Sequence, residues 1–187
     1  MISGIILASG FSKRMKTDKL LMPIKSVPLV KRVVNAASAS LLDEIILIYR
    51  NDKILRLVND KIKTVYNNLA YLGQSAAIKK GINASDKKTE AYLFMVADQP
   101  FIDEITINKI IAMYKKNLKS IIVPLYGFQK GNPVLFPSLF KKDLLEIKGD
   151  IGGRVIINKY RDKTKYIKID NNHIGIDIDA EKDLEQI

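Results

Sequence analysis

Short apolar runs of strand length alternate with stretches of helical period along this chain, and no other feature restricts its fold as much. Residues 2–8 (ISGIILA), 44–49 (EIILIY), 62–66 and 91–97 (AYLFMVA) are apolar runs bounded by polar residues or glycine. Runs of about 4 to 8 such residues, with no polar face, are strands covered on both sides. Helical spacing lies between them. Leu29, Val30, Val33, Val34, Ala37 and Leu41 recur at i, i+4 and i+8, as do Ile107, Ile110, Ile111, Tyr114 and Leu118 behind a predicted N-cap at Asp103. This alternation predicts a three-layer, Rossmann-like α/β/α fold on a mostly parallel sheet.

The second half is less regular, and a mixed part is expected there. Residues 120–125 read as a strand, 126–132 (YGFQKGN) as a turn, and 133–136 as a further strand. Short helices are predicted at 138–147 and 152–160, and a late strand at 165–169. An Ile-Asp alternation at 173–179 and a short terminal helix complete the pattern. With no linker, repeat or low-complexity stretch, residues 1–187 are expected to form a single domain.

Composition removes several chemistries. The chain has no cysteine, which excludes disulfides, thiolate catalysis and thiolate zinc sites. Its one histidine, His173, excludes histidine-cluster metal sites, argues against a Ser-His-Asp triad, and sits in a polar Asn-Asn-His turn. The formal charge of +11 would suit nucleic acid, an anionic membrane or a polyphosphate. Only six of the 31 basic residues are arginine, however, and no block of like charge or aromatic-studded basic stripe occurs. Those lysines read as a solvated face, so neither nucleic acid nor membrane is expected as a partner. No apolar run approaches the roughly 18 to 20 residues that span a bilayer, and the first ten residues lack a signal-peptide pattern. A cytoplasmic location is the expectation.

The loop after the first strand carries the chemistry. It reads Leu7-Ala8-Ser9-Gly10-Phe11-Ser12-Lys13-Arg14-Met15, with Lys19 following. In an open parallel sheet, ligands sit at the carboxyl ends of strands, where this loop begins. The small residues Ala8, Ser9 and Gly10 let backbone amides approach phosphate oxygens. Arg14 adds a planar fork and Lys19 a mobile point charge. The segment is neither a dinucleotide fingerprint nor a P-loop.

That loop resembles the L-A-[AGS]-G-x-S-x-R-M signature of the molybdopterin cytidylyl- and guanylyltransferases. Further segments resemble the same family in the same order: Leu20 to Pro23 with Pro28-Leu29, Asn67 with Gly73-Gln74-Ser75, Ala97-Asp98-Gln99-Pro100, Gly131-Asn132-Pro133 leading to Phe136, Gly149-Asp150-Ile151-Gly152, and Asp177-Ile178-Asp179 with Asp183-Leu184. The chain departs from the pattern at Lys16, Ser26-Val27, Ala77 and Ala180-Glu181, while the matched charged positions are kept.

The resemblance implies a nucleotide-diphospho-sugar transferase-like fold and a role for each matched residue. Arg14, Lys19 and Asp98 would be catalytic. Leu7, Ala8, Ser9, Gly10, Asn67, Gly73, Gln74 and Ser75 would join them in binding the nucleoside triphosphate. Asp98 and Asp179 would hold Mg²⁺, an ion that prefers carboxylate and phosphate oxygens; the related nucleotidyltransferases favour Asp179 over Asp177. Asn132, Asp150 and Arg154 would meet a phosphorylated, pterin-type acceptor. A molybdenum hydroxylase is the further partner implied.

The implied reaction is attack by an acceptor phosphate on the α-phosphorus of a nucleoside triphosphate, with pyrophosphate leaving. Positioning and charge neutralisation suffice for such a transfer. The Cβ and hydroxyl of Ser9 would narrow the space beside the base, favouring CTP over GTP. Gly73-Gln74-Ser75 points the same way. The competing expectations are GTP with the same acceptor, a sugar or alditol phosphate as acceptor for CMP, and a non-catalytic accessory protein that carries the finished cofactor.

Overall fold

Near-continuous apolar strands need cover on both faces, and the chain provides it. A computed structural model describes residues 1–11, 18–178 and 183. In chain order the elements are β1 (Ile2–Ala8), β2 (Pro23–Ile24), β3 (Val27–Pro28), α1 (Leu29–Ala39), β4 (Glu44–Tyr49), β5 (Lys63–Tyr66), α2 (Gln74–Ala84) and β6 (Ala91–Val96). They continue with α3 (Glu104–Lys115), β7 (Ile121–Tyr126), β8 (Gln129–Lys130), β9 (Val134–Pro137), α4 (Lys141–Glu146), α5 (Arg154–Lys159) and β10 (Thr164–Ile169).

The main sheet runs β10-β7-β9-β6-β1-β4-β5, with β8 paired to β7. On that path β9 alone is reversed, antiparallel to both β6 and β7. The other pairs are parallel. The carboxyl ends of β1, β4, β5, β6, β7 and β10 therefore share one edge. Strand order reverses at β1, whose two neighbours are β4 and β6, and a crevice at such a point is where open α/β sheets take ligands.

Alternating side chains feed two cores. Ile6, Leu47, Leu93 and Met95 face the layer containing α1 and α3. Ile5, Ile46, Ile48, Tyr92 and Phe94 face the layer containing α2, α4 and α5. The expected three-layer α/β architecture with a mixed part is present.

Three elements differ from expectation. The predicted helix over 138–147 begins as a 3-10 turn, Ser138–Phe140, before α4. The one over 152–160 starts only at Arg154, because Gly152 has φ +61° and cannot be helical. The Ile-Asp alternation contains a 3-10 turn at Asn172–Gly175, with Ile174 and Ile178 buried and Ile176 exposed. The predicted terminal helix falls almost wholly outside the described residues. Among the described residues, no helix is long and apolar enough to cross a membrane.

The periodicity that identifies α1 and α3 does not identify α2, since Lys79, Lys80 and Gly81 break its apolar stripe. Gly81 is there for space. A Cβ at that position would stand 2.4 Å from Ile5 Cγ2, in the middle of the sheet face. Gly81→Ala should therefore lower stability by about 1–2 kcal/mol from overpacking, outweighing a helix-propensity gain of about 1 kcal/mol. In an Ile5→Ala background, which removes that methyl, the same change should raise stability. Urea unfolding of the four proteins reads both signs.

Candidate functional site

The site forms where β1 and β6 end side by side. Ala97 N–H donates to the Leu7 carbonyl at 3.2 Å, so the two loops leave the sheet together. Two residues past β6, the Asp98 carboxylate accepts from Lys19 Nζ at 2.8 Å. Lys19 opens a 3-10 turn, Lys19–Leu21, whose Leu20 is buried in the α1/α3 core and whose N-cap is Asp18. The two charged side chains keep 16% and 27% exposure, enough for a ligand to reach them.

Behind them the backbone is pinned by buried polar groups. Ser9 is 4% exposed, and its hydroxyl accepts from Asn67 Nδ2 at 2.8 Å. Asn67 is also buried; its Oδ1 accepts from Leu69 N–H, and its own N–H donates to the Tyr49 carbonyl. Asn67 thus joins the ends of β1, β4 and β5.

A second joint closes the far wall. Gly73 precedes α2 with φ +88°, and a Cβ there would lie 2.7 Å from the Gly149 carbonyl carbon. Gln74 N–H donates to Asp150 Oδ1 at 2.8 Å, and Ser75 N–H to the Gly149 carbonyl at 3.1 Å. The opening amides of α2 are thus taken up by the 149–150 loop.

Two clefts of about 660 and 650 Å³ flank this joint. The first is lined by Leu7, Ser9, Gly10, Phe11, Tyr71, Gly73 and Asp98 among others. The second lies over β7, β8 and β9 and is lined by Gln129, Lys130, Asn132, Gly152, Arg154 and Asn158 among others. Leu7, Gln74, Val96 and Asp150 border both. Asn132 is held from the other face of the sheet by Tyr126, a member of the α1/α3 core whose hydroxyl donates to the Asn132 carbonyl beside the cis Asn132–Pro133 bond. Burial, aided by the Asp103 charge, pushes the Tyr126 phenol far above its ordinary value, so it stays a neutral donor.

Of the residues singled out in the sequence, Leu7, Ser9, Gly10, Gly73, Gln74 and Asp98 line the first cleft. Asn132, Asp150 and Arg154 line the second. Lys19 reaches the site through its ion pair. Ala8, Asn67 and Ser75 are buried behind the surface. Arg14 and Asp179 lie outside the described residues. Next to Asp179 in sequence, Ile178 N–H donates to the Asp98 carbonyl at 3.0 Å. Asp177 Oδ1 accepts from Gln99 Nε2 at 2.9 Å, tying the C-terminal segment to the loop after β6.

The residues present fit a magnesium ion arriving with a triphosphate. Asp98 is a partly exposed hard-oxygen donor already facing a cation, the Lys19 ammonium, and magnesium commonly uses one or two carboxylates plus substrate phosphates. Among the described residues, no group of three or more histidine or acidic side chains forms a closed metal cage.

Asp18, Arg50, Asn51, Lys130 and Tyr71 belong to the site's surroundings and fall outside every motif read from the sequence. Their roles come from contacts between distant segments. Asp18 and Asn51 carry a local signal only as Asx residues at the start of turns.

Comparisons with known proteins place the family and the fold. A profile of the MobA-like NTP transferase domain matches residues 4–164. A probable molybdenum cofactor guanylyltransferase of Natranaerobius thermophilus is 27% identical over 66% of this chain and 60% of its own length. One of the same description from Thermococcus gammatolerans is 29% identical over 76% of this chain and 73% of its own. The solved structure of Rv0371c from Mycobacterium tuberculosis superposes with a TM-score of 0.87 at 21% identity, covering 99% of this chain and 96% of that one. The same mycobacterial protein has been solved in complex with manganese.

Asn67→Ala would strip Ser9 Oγ and Leu69 N–H of their buried partner. It should cost about 1–3 kcal/mol in urea unfolding, and the Ser9→Ala/Asn67→Ala pair should cost less than the sum of its two parts.

Proposed function

This chain belongs to the MobA-like NTP transferase domain family, and on that premise we propose that it transfers a nucleotidyl group from a nucleoside triphosphate to the phosphate of a molybdopterin-type acceptor. The observation that carries this reading is the Lys19–Asp98 pair, 2.8 Å apart in the β1/β6 crevice, with a second cleft sharing the same wall. One cleft takes the triphosphate and the other the acceptor, and the two meet at Gln74 and Asp150.

The chemistry needs little from the protein beyond placement. An acceptor phosphate oxygen, already ionised at neutral pH, forms a bond to the α-phosphorus as the bond to the pyrophosphate oxygen breaks. No general base is required. Lys19 leaves Asp98 for the phosphates of the nucleotide and neutralises the departing pyrophosphate, with Arg14 in the same role. Asp98 and Asp179 would hold the magnesium ion, which supplies further charge neutralisation at the phosphate oxygens. Gly10 lines the first cleft and, among the described residues, nothing lies within 4 Å of where a Cβ would stand, which leaves room for a phosphate beside its amide. Asn132, Arg154 and Lys130, around the second cleft, suit an anionic, polar acceptor.

We assign the nucleotide as GTP. The expectation of CTP leaned on Ser9 as a side chain narrowing the base site, but the Ser9 hydroxyl is engaged with Asn67 and the residue is nearly buried. Ser9 therefore gives no physical ground for a pyrimidine. Both curated relatives are described as guanylyltransferases. The alternative, CTP, keeps one support, the Gly73-Gln74-Ser75 segment.

Pyrophosphate release with magnesium and molybdopterin should be faster with GTP than with CTP, and the reverse order would return the assignment to CTP. Asp98→Asn should keep the thermal midpoint of the parent while losing about 100-fold or more in turnover. A variant within tenfold of the parent would remove Asp98 from the reaction.

A further inference from the structure

Lys19 can serve the phosphates only if the turn that carries it is held at the crevice, and the end of β4 provides the holder. Asn51 Nδ2 donates to Asp18 Oδ2 at 2.9 Å across 33 positions of sequence. The other oxygen of that carboxylate, Oδ1, accepts from Leu20 N–H and caps the turn Lys19–Leu21. The orientation of the Asn51 amide is fixed in its turn, because its Oδ1 accepts from Lys53 N–H at 3.1 Å. One residue earlier, the Arg50 guanidinium lies 4.4 Å above the Phe11 ring, and its buried Nε has no hydrogen-bond partner among the described residues, so packing holds it there. Residues 50 and 51 together grip Phe11 and Asp18, the described residues on either side of 12–17 in the sequence.

We propose that Asn51 is a positioning residue for nucleotide binding: through Asp18 it sets the turn that presents Lys19 to Asp98 and to the incoming phosphates. This rests on the reading of Lys19 as a phosphate-binding cation. Asn51 lines neither of the two clefts. Its effect reaches the reaction through the Asp18 cap, and it is felt as nucleotide affinity more than as the rate of the bound complex.

The pair can be broken and rebuilt without changing its size. Asn51→Asp sets two carboxylates against each other. Adding Asp18→Asn restores the bond with donor and acceptor exchanged. The amide nitrogen introduced at position 18 donates to the carboxylate introduced at position 51, and the amide oxygen still accepts from Leu20 N–H. The carboxylate at position 51 still accepts from Lys53 N–H. Calorimetry with GTP–Mg and CTP–Mg, steady-state pyrophosphate release and urea unfolding are run on the parent, N51D and N51D/D18N. The single variant should raise both KM and Kd for the nucleotide about tenfold with a much smaller change in kcat, as expected when binding common to ground and transition states is lost. The double variant should return both to within about threefold of the parent. The proposal is overturned if N51D binds nucleotide like the parent, if only its unfolding midpoint falls, or if the double variant is no better than the single. A parent that binds neither nucleotide overturns the functional reading, and the proposal with it; a parent that binds while N51D is unaffected overturns the proposal alone.

Discussion

Two opposite charges set against each other at the mouth of a crevice, Lys19 and Asp98, are what the rest of this molecule is arranged to hold. An ion pair withdrawn partly from water is weak evidence for stability, because desolvation offsets much of its attraction. Its value lies in exchange. On the proposed function, each partner already faces a charge of the sign that a magnesium nucleotide would bring, so binding would replace one neutralised pair by two others. The pair exists only because β1 and β6 are parallel neighbours in fixed register, with Leu7 opposite Val96. A shift of one residue would turn the apolar set of either strand to the wrong face and carry Asp98 away from Lys19.

A second constraint sits at Gly73, where two loops approach too closely for any side chain. The positive φ and the 2.7 Å approach to the Gly149 carbonyl carbon both demand glycine. What the close approach achieves is a shared wall. Gln74 and Asp150 border both clefts, so a displacement of the α2 amino end would move the boundary of each. Gly152 extends the same joint, since a Cβ there would meet Gln74 Oε1 at 2.3 Å. On the proposed function, one seam would place both substrates and so hold the reacting atoms in line.

How much of this could be read from the sequence follows from the range of the forces involved. Strands β1, β4, β6 and β7 are legible because burial on both faces makes each one a near-continuous apolar word; β5, predicted from residues 62–66 as a run of the same kind, is instead a mostly exposed strand at the sheet's edge. Helices α1 and α3 were legible because each has one wet face and one dry one. Helix α2 was not, since Gly81 is explained only by Ile5 on a strand far away in sequence. The reversal of β9 was likewise hidden; four residues cannot declare a direction. In the site, Asp98, Gly10 and Lys19 carry a local pattern. Asn67 carries such a pattern too, and the structure adds that it is buried and bonded to Ser9. Asn51 is legible as an Asx cap of the turn that follows it, but its bond to Asp18 is not, because that bond spans segments with no common motif.

The two edges of the sheet show how the same polar residues serve opposite ends. At the amino edge, Ser3 is fully buried, donates to Glu44 Oε2 at 2.7 Å and shares a 2.8 Å contact with Thr89 Oγ1. Glu44 also accepts from Asp86 N–H, and Asp43 accepts from Ile2 N–H. Those groups answer one another, which fits stability and leaves nothing to offer a ligand. At the carboxyl edge the backbone is braced as firmly by Asn67, Asp18 and Asp150, yet Asp98 and Lys19 stay partly open to solvent. Firm backbone under accessible charge is the condition for preorganised electrostatics. The asymmetry between a closed edge and an open one, more than any single residue, marks which end of this sheet is open to a ligand.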